Sequence, residues 1–150
     1  MVVALSARTP NCSIARTLEI VGERWTLLVV REAFLGRTRF AEIRERLGVA
    51  PDVLTDRLDT LVAFGVLERS PYRDGGRTRD EYLLTDAGRG LGPVLIALAE
   101  WGDEHRPPRV PQATHAVDGA TGATLRVALL REDGSVADPL TMQLRTDRPA

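Results

Sequence analysis

The sequence contains no lysine: all twenty basic residues are arginine. That reads as the composition of GC-rich coding and not as a functional signal. A single cysteine, Cys12, excludes a disulfide within the chain and makes a reducing, cytoplasmic compartment the expected one. Aromatic residues are only 5% of the chain, so aliphatic side chains must carry the core. No apolar run approaches the roughly eighteen residues of a membrane span. The mildly apolar first six residues lack a basic region before them, which argues against a signal peptide. A net charge of -1 excludes coating of nucleic acid by bulk electrostatics, but leaves room for a reader with a local basic footprint.

The residue sets of catalysis are also missing. His105 and His115 are separated by a proline-rich bend and Cys12 is the only thiol, so no set stands at metal-ligand spacing. Gly75-Gly76 belongs to a basic turn, and Gly119, Gly122 and Gly134 match no nucleotide-binding loop. Neither an enzyme nor a cofactor is expected.

What is present fits one main core with an appendage. The expected organisation is an N-terminal arm over residues 1–11, a principal domain over 12–106 and an extension over 107–150. Ile14, Leu18 and Val21 repeat at helical spacing after Asn11 or Ser13 as N-cap. A second helix starts at Glu23 or Arg24 and stops at Gly36. Phe40, Ile43 and Leu47 mark a short third helix. Pro51 or Asp52 opens a fourth, buried along Leu54, Leu58, Leu61 and Val62 and closed by Gly65. Two extended runs follow, joined by a Gly-rich basic loop over residues 73–79. Thr85 then caps a long helix over residues 86–104. Beyond Pro107, Pro108 and Pro111, the alternation of Leu125, Val127 and Leu129, a turn at residues 132–135, and the alternation of Leu140, Met142 and Leu144 predict a C-terminal β-hairpin. The fold class is mainly α with a small β wing: a winged helix-turn-helix plus a hairpin extension.

A short helix, the three-residue turn Gly48-Val49-Ala50 and a second helix form the geometry of a helix-turn-helix. Such a second helix presents its first residues to base edges in the major groove, here Pro51, Asp52, Thr55, Asp56 and Arg57. Asp52 and Asp56 would repel phosphate; they either accept a hydrogen bond from cytosine N4 or orient Arg57. Arg57 has the donors for a guanine contact, or pairs with a neighbouring acid. Arg73, Arg77 and Arg79 suit phosphate or the narrow groove. Arg37, Arg39, Arg44 and Arg46 flank the reading helix from the other side.

Joined in order, Cys12-Ser13-Ile14, Gly22-Glu23-Arg24-Trp25-Thr26-Leu27-Leu28-Val29-Val30-Arg31-Glu32, Arg39-Phe40-Ala41-Glu42-Ile43, Val53-Leu54-Thr55-Asp56-Arg57-Leu58, Leu61, Gly65-Val66-Leu67-Glu68-Arg69 and Glu81-Tyr82-Leu83-Leu84-Thr85-Asp86-Ala87-Gly88 resemble the motifs of HxlR-type winged helix-turn-helix regulators, relatives of the MarR-like group. The likeness covers residues 12–101. It implies a bacterial transcriptional regulator that dimerises through its first and last helices and binds inverted repeats in double-stranded DNA. The recognition helix would span residues 51–64 and the wing residues 73–79. Members respond to small molecules, aldehydes, quinones or oxidants, so an effector is a candidate partner. Dimerisation through those helices assigns Ile14 and Leu18, with Leu91, Leu95, Leu98 and Trp101, to the seam, although the latter stripe also reads as intrachain core. Some members sense oxidants through a cysteine near the first helix, where Cys12 stands. A thiol at a helix start with Arg16 one turn on is placed for such reactivity, or simply seats the helix. The extension after Arg106 lies outside the family core. The competing reading is a winged-helix protein-interaction module, and a third is a small-molecule binder with a pocket near Trp25 and no DNA role.

Overall fold

In the computed structural model, which describes residues 12–110 and 114–145, the periodicity of Ile14, Leu18 and Val21 forms α1 over Ser13–Val21. Cys12 occupies the N-cap position and Ser13 is already helical, so Ser13 is not the cap. Asn11, the other cap considered, and the arm over residues 1–11 lie outside the described residues. The chain divides into two compact units, residues 1–95 and 96–150.

In the first unit, Gly22 closes α1 and residues 23–25 turn sharply, with the Thr26 amide donating to the Glu23 carbonyl at 3.0 Å. That turn moves the start of α2 to Thr26, later than the sequence suggests, and α2 runs over Thr26–Phe34. Then come α3 (Phe40–Leu47) and α4 (Pro51–Ala63). Proline at the first position of α4 sacrifices an amide that would have no helical partner anyway. The expected line of Leu54, Leu58 and Leu61 is buried and packs with Val29, Val30, Ile43 and Leu67 in one core.

The wing is longer and its loop shorter than the sequence suggests. Strands β1 (Leu67–Asp74) and β2 (Arg77–Leu84) pair antiparallel from Leu67↔Leu84 to Asp74↔Arg77, leaving only Gly75-Gly76 as the turn. Both glycines have positive φ, 54° and 81°, which a two-residue turn matched to the strand twist requires. Pairing therefore reaches the tip, and the arginines expected in a loop belong to strands.

The Thr85 hydroxyl donates to the Gly65 and Val66 carbonyls and accepts the Gly88 amide at 3.1 Å, tying the end of β2 to the end of α4. The helix expected over residues 86–104 is two: α5 (Asp86–Arg89) and α6 (Gly92–His105). Pro93 explains the break, because it has no amide to donate and its ring would clash with the carbonyl four residues earlier in a continuous helix.

The second unit holds the rest of α6 and the extension. Asp118 organises a turn by accepting the amides of Ala120 and Thr121, each at 2.8 Å, and these donors hold its carboxyl below the usual carboxylate range. The hairpin forms as β3 (Leu129–Leu130) against β4 (Val136–Ala137). Its returning strand is not the alternation of Leu140, Met142 and Leu144. Asp138 caps a 3-10 turn over Pro139–Thr141 by accepting the Leu140 amide at 2.9 Å, and Pro139 offers no amide to a ladder.

Candidate nucleic-acid interface

Burial of Leu54 and Leu58 turns the other side of α4 outward, and its exposed first turns carry Pro51, Asp52, Thr55 and Asp56. The Thr55 hydroxyl donates to the Pro51 carbonyl at 2.9 Å, which leaves its oxygen free to accept. Arg57 behaves differently. Its side chain is only 18% exposed and reaches Glu23, in the α1–α2 turn, at 3.6 Å; its Nε is buried without a partner.

The strand register sorts the wing arginines by face. Side chains alternate along a strand and cross-strand partners share a face. Tyr72, Asp74, Arg77 and Arg79 therefore lie on one face, and Arg73 with Thr78 on the other. The first face adjoins the start of α3: Thr38 Oγ1 donates to Glu81 Oε2 at 2.7 Å, the Tyr82 amide donates to the Thr38 carbonyl at 2.8 Å, and the Arg39 guanidinium lies 4.3 Å over the Tyr72 ring. Arg79 pairs with Asp74 at 3.4 Å, with both side chains more than half exposed. Arg79 also lines an open depression with Phe40, Arg44, Gly48 and Val49, so a wing cation stands beside the turn that precedes α4.

Arg37 has another task. Glu32 of α2 is fully buried, its carboxylate taking Arg31 at 2.6 Å on one oxygen and Arg37 at 2.8 Å on the other. The Arg37 amide also donates to the Glu32 carbonyl at 3.0 Å, so this pair fixes the chain between α2 and α3. Sequence reasoning gave Glu32 no role; the only signal was an acid within the apolar run from Leu27 to Phe34, next to an arginine.

Ile14, Leu18, Leu98 and Trp101 are exposed, whereas Leu91 and Leu95 are partly buried against the core of the first unit. Leu91 lies in the break before α6. Trp25 also packs against that core, with Arg24 5.1 Å above its ring. Cys12 is exposed, and the nearby Arg16 donates to Ser13 Oγ at 3.1 Å. Among the described residues, no group of three or more His, Cys, Asp or Glu could hold a metal, and no helix is long and apolar enough to cross a membrane.

Residues 20–110 match the family described as HxlR-like helix-turn-helix. The chain belongs to the HxlR family. The matched residues form the winged helix-turn-helix of that family, and the chain spans about two thirds, 65%, of the length of the first curated relatives it matches. This HxlR-family chain is 47% identical over 103 residues to Rv3095 of Mycobacterium tuberculosis, an uncharacterized HTH-type transcriptional regulator; the match covers 69% of this chain and 65% of that protein. Among solved structures, PA1607, described as a candidate transcription factor, is 34% identical with a TM-score of 0.77, over 93% of this chain and 97% of that one. The reduced form of the redox regulator HypR is 30% identical with a TM-score of 0.58, over 63% of this chain and 94% of that one.

Proposed function

We propose that this regulator is cytoplasmic and reads an inverted repeat as a homodimer, each subunit placing the first turns of α4 in a major groove. Pro51, Asp52, Thr55 and Asp56 are the base-facing edge, and Arg39, Arg73, Arg77 and Arg79 meet phosphate or the adjoining narrow groove. Arg37 and Arg57 serve this reading by holding the α2–α3 connection and α4 in place. The observation that carries it is the position of Arg79, which lines one depression with Arg44, Glu45, Gly48 and Val49 and so stands beside the turn that leads into the proposed reading helix. Ile14 and Leu18 of α1, with Leu98 and Trp101 of α6, supply the seam, while Leu91 and Leu95 seat the start of α6 on the core.

Anisotropy with duplexes tiled across the gene's own upstream region, repeated over a salt series, tests the proposal. A site bound at least a hundredfold more tightly than random duplex is expected; equal affinity for all duplexes would favour a protein-interaction module. Effector response is proposed at Cys12, a thiol exposed at the start of α1, in keeping with the name of HypR as a redox regulator. The wild type is expected to lose or gain DNA affinity on peroxide treatment while Cys12→Ser does not; identical responses remove the thiol from the reading.

A further inference from the structure

The proposed reading surface includes no residue of the extension, which is rich in uncovered apolar surface. Among the described residues from 96 to 145 none is buried. Leu98 and Trp101 on α6, Leu130 and Val136 on the hairpin, and Leu140 and Met142 beyond it are all more than half exposed, Leu140 at 92%. At ordinary side-chain areas these six together leave on the order of 700 Å² uncovered, close to the ~800 Å² each partner contributes to a stable interface. Leu130 and Val136 are cross-strand partners and so present one apolar face of a hairpin with only two paired positions on each strand, a unit too small to be stable alone.

We propose that the extension is an arm of the dimer seam, its apolar face packing on a second copy of this chain. Three observations select that occupant. Leu98 and Trp101, assigned to the seam above, belong to the same compact unit as the extension, and Arg126 of the extension pairs with Glu100 of α6 at 3.3 Å, so the apolar surface continues the face of α6. The described part of the extension is charge-balanced, with Arg109, Arg126, Arg131 and Arg145 against Asp118, Glu132, Asp133 and Asp138. A two-fold interface sets a patch against its own copy, which penalises a patch of one sign and accepts a neutral one, whereas a phosphate-directed arm would be basic. The likeness to PA1607 spans 93% of this chain and so includes most of the extension, which marks it as a recurring structural part and not an incidental tail.

The proposal rests on the homodimer reading, and full-length protein separates the two. Sedimentation of wild type, Leu18→Asp and Leu130→Asp across concentration is expected to show a dimer whose dissociation constant rises at least tenfold in either variant, with melting of the winged-helix unit unchanged for Leu130→Asp. A monomeric wild type overturns both readings; a dimer weakened by Leu18→Asp but not by Leu130→Asp overturns the arm alone. Leu140→Cys in a Cys12→Ser background gives a readout without an introduced charge. Maleimide labelling is expected to slow at least tenfold as protein concentration rises through the dimer dissociation constant. Fast labelling throughout would mean a face left open by the dimer, and slow labelling even in dilute monomer would mean a face covered by its own chain; either result overturns the proposal.

Discussion

Arg57 of α4 extends to Glu23 in the α1–α2 turn at 3.6 Å, joining the proposed reading helix to the corner between the first two helices. The pair is lopsided, since Glu23 is 63% exposed while the arginine is largely covered and its Nε lacks a partner.

An exposed carboxylate at that distance contributes little, so Glu23→Gln is expected to change stability by less than about 1 kcal/mol. The Arg57 stem packs, so Arg57→Ala is expected to cost roughly 1–2 kcal/mol. Arg57→Met, which keeps the stem and removes the unpartnered donor, is expected to match or exceed the wild type. Urea melts of the three variants check the order; a Met variant as weak as the Ala variant would show that the guanidinium itself holds the helix.

Glu32 gives the opposite case, a buried carboxylate satisfied on both oxygens. Glu32→Gln is expected to destabilise by roughly 1.5–3 kcal/mol, because bonds to a charged acceptor are lost inside the core. Arg37→Ala is expected to cost about as much by stripping one oxygen of its donor, unlike most substitutions of a surface arginine. Thermal unfolding of Arg37→Ala beside Arg73→Ala makes the comparison, and equal melting temperatures would remove the structural role of Arg37.

For the wing, Arg77 shares the face of Arg79 beside the helix-turn-helix turn, and Arg73 points to the other face. Arg77→Ala is expected to reduce the slope of log K against log salt by about one, with a smaller change for Arg73→Ala and unaltered stability in both. A wild-type slope for Arg77→Ala would take that residue out of the phosphate footprint.

At Gly88, a Cβ would stand 2.1 Å from the Val66 carbonyl oxygen, a backbone atom that cannot swing aside. Gly88→Ala is therefore expected to push α5 off the end of α4 and to destabilise by roughly 2 kcal/mol or more. Loss of amide exchange protection at Gly88 and Thr85 would locate the damage; an unchanged melt would mean the junction yields easily.

Periodicity and turn chemistry made the first unit legible, because Leu54, Leu58 and Leu61 repeat at helical spacing and Gly48, Gly65 and Gly75-Gly76 mark where elements end. Those are local properties, and the sequence by itself determined the helix-turn-helix, the wing and the family. Partnership is not local. Whether Arg37 and Arg57 face DNA or an acid depended on Glu32 and Glu23, which only tertiary packing brings within reach. The split of Arg73 from Arg77 followed from a register fixed by a two-glycine turn. The break before α6 was written at Pro93, but a strong apolar stripe on both sides of it hid the signal. Sequence determined the helix-turn-helix elements and the wing, through propensity and burial pattern; the tertiary structure decided which charges are occupied, because an ion pair depends on distances in space that spacing along the chain does not set.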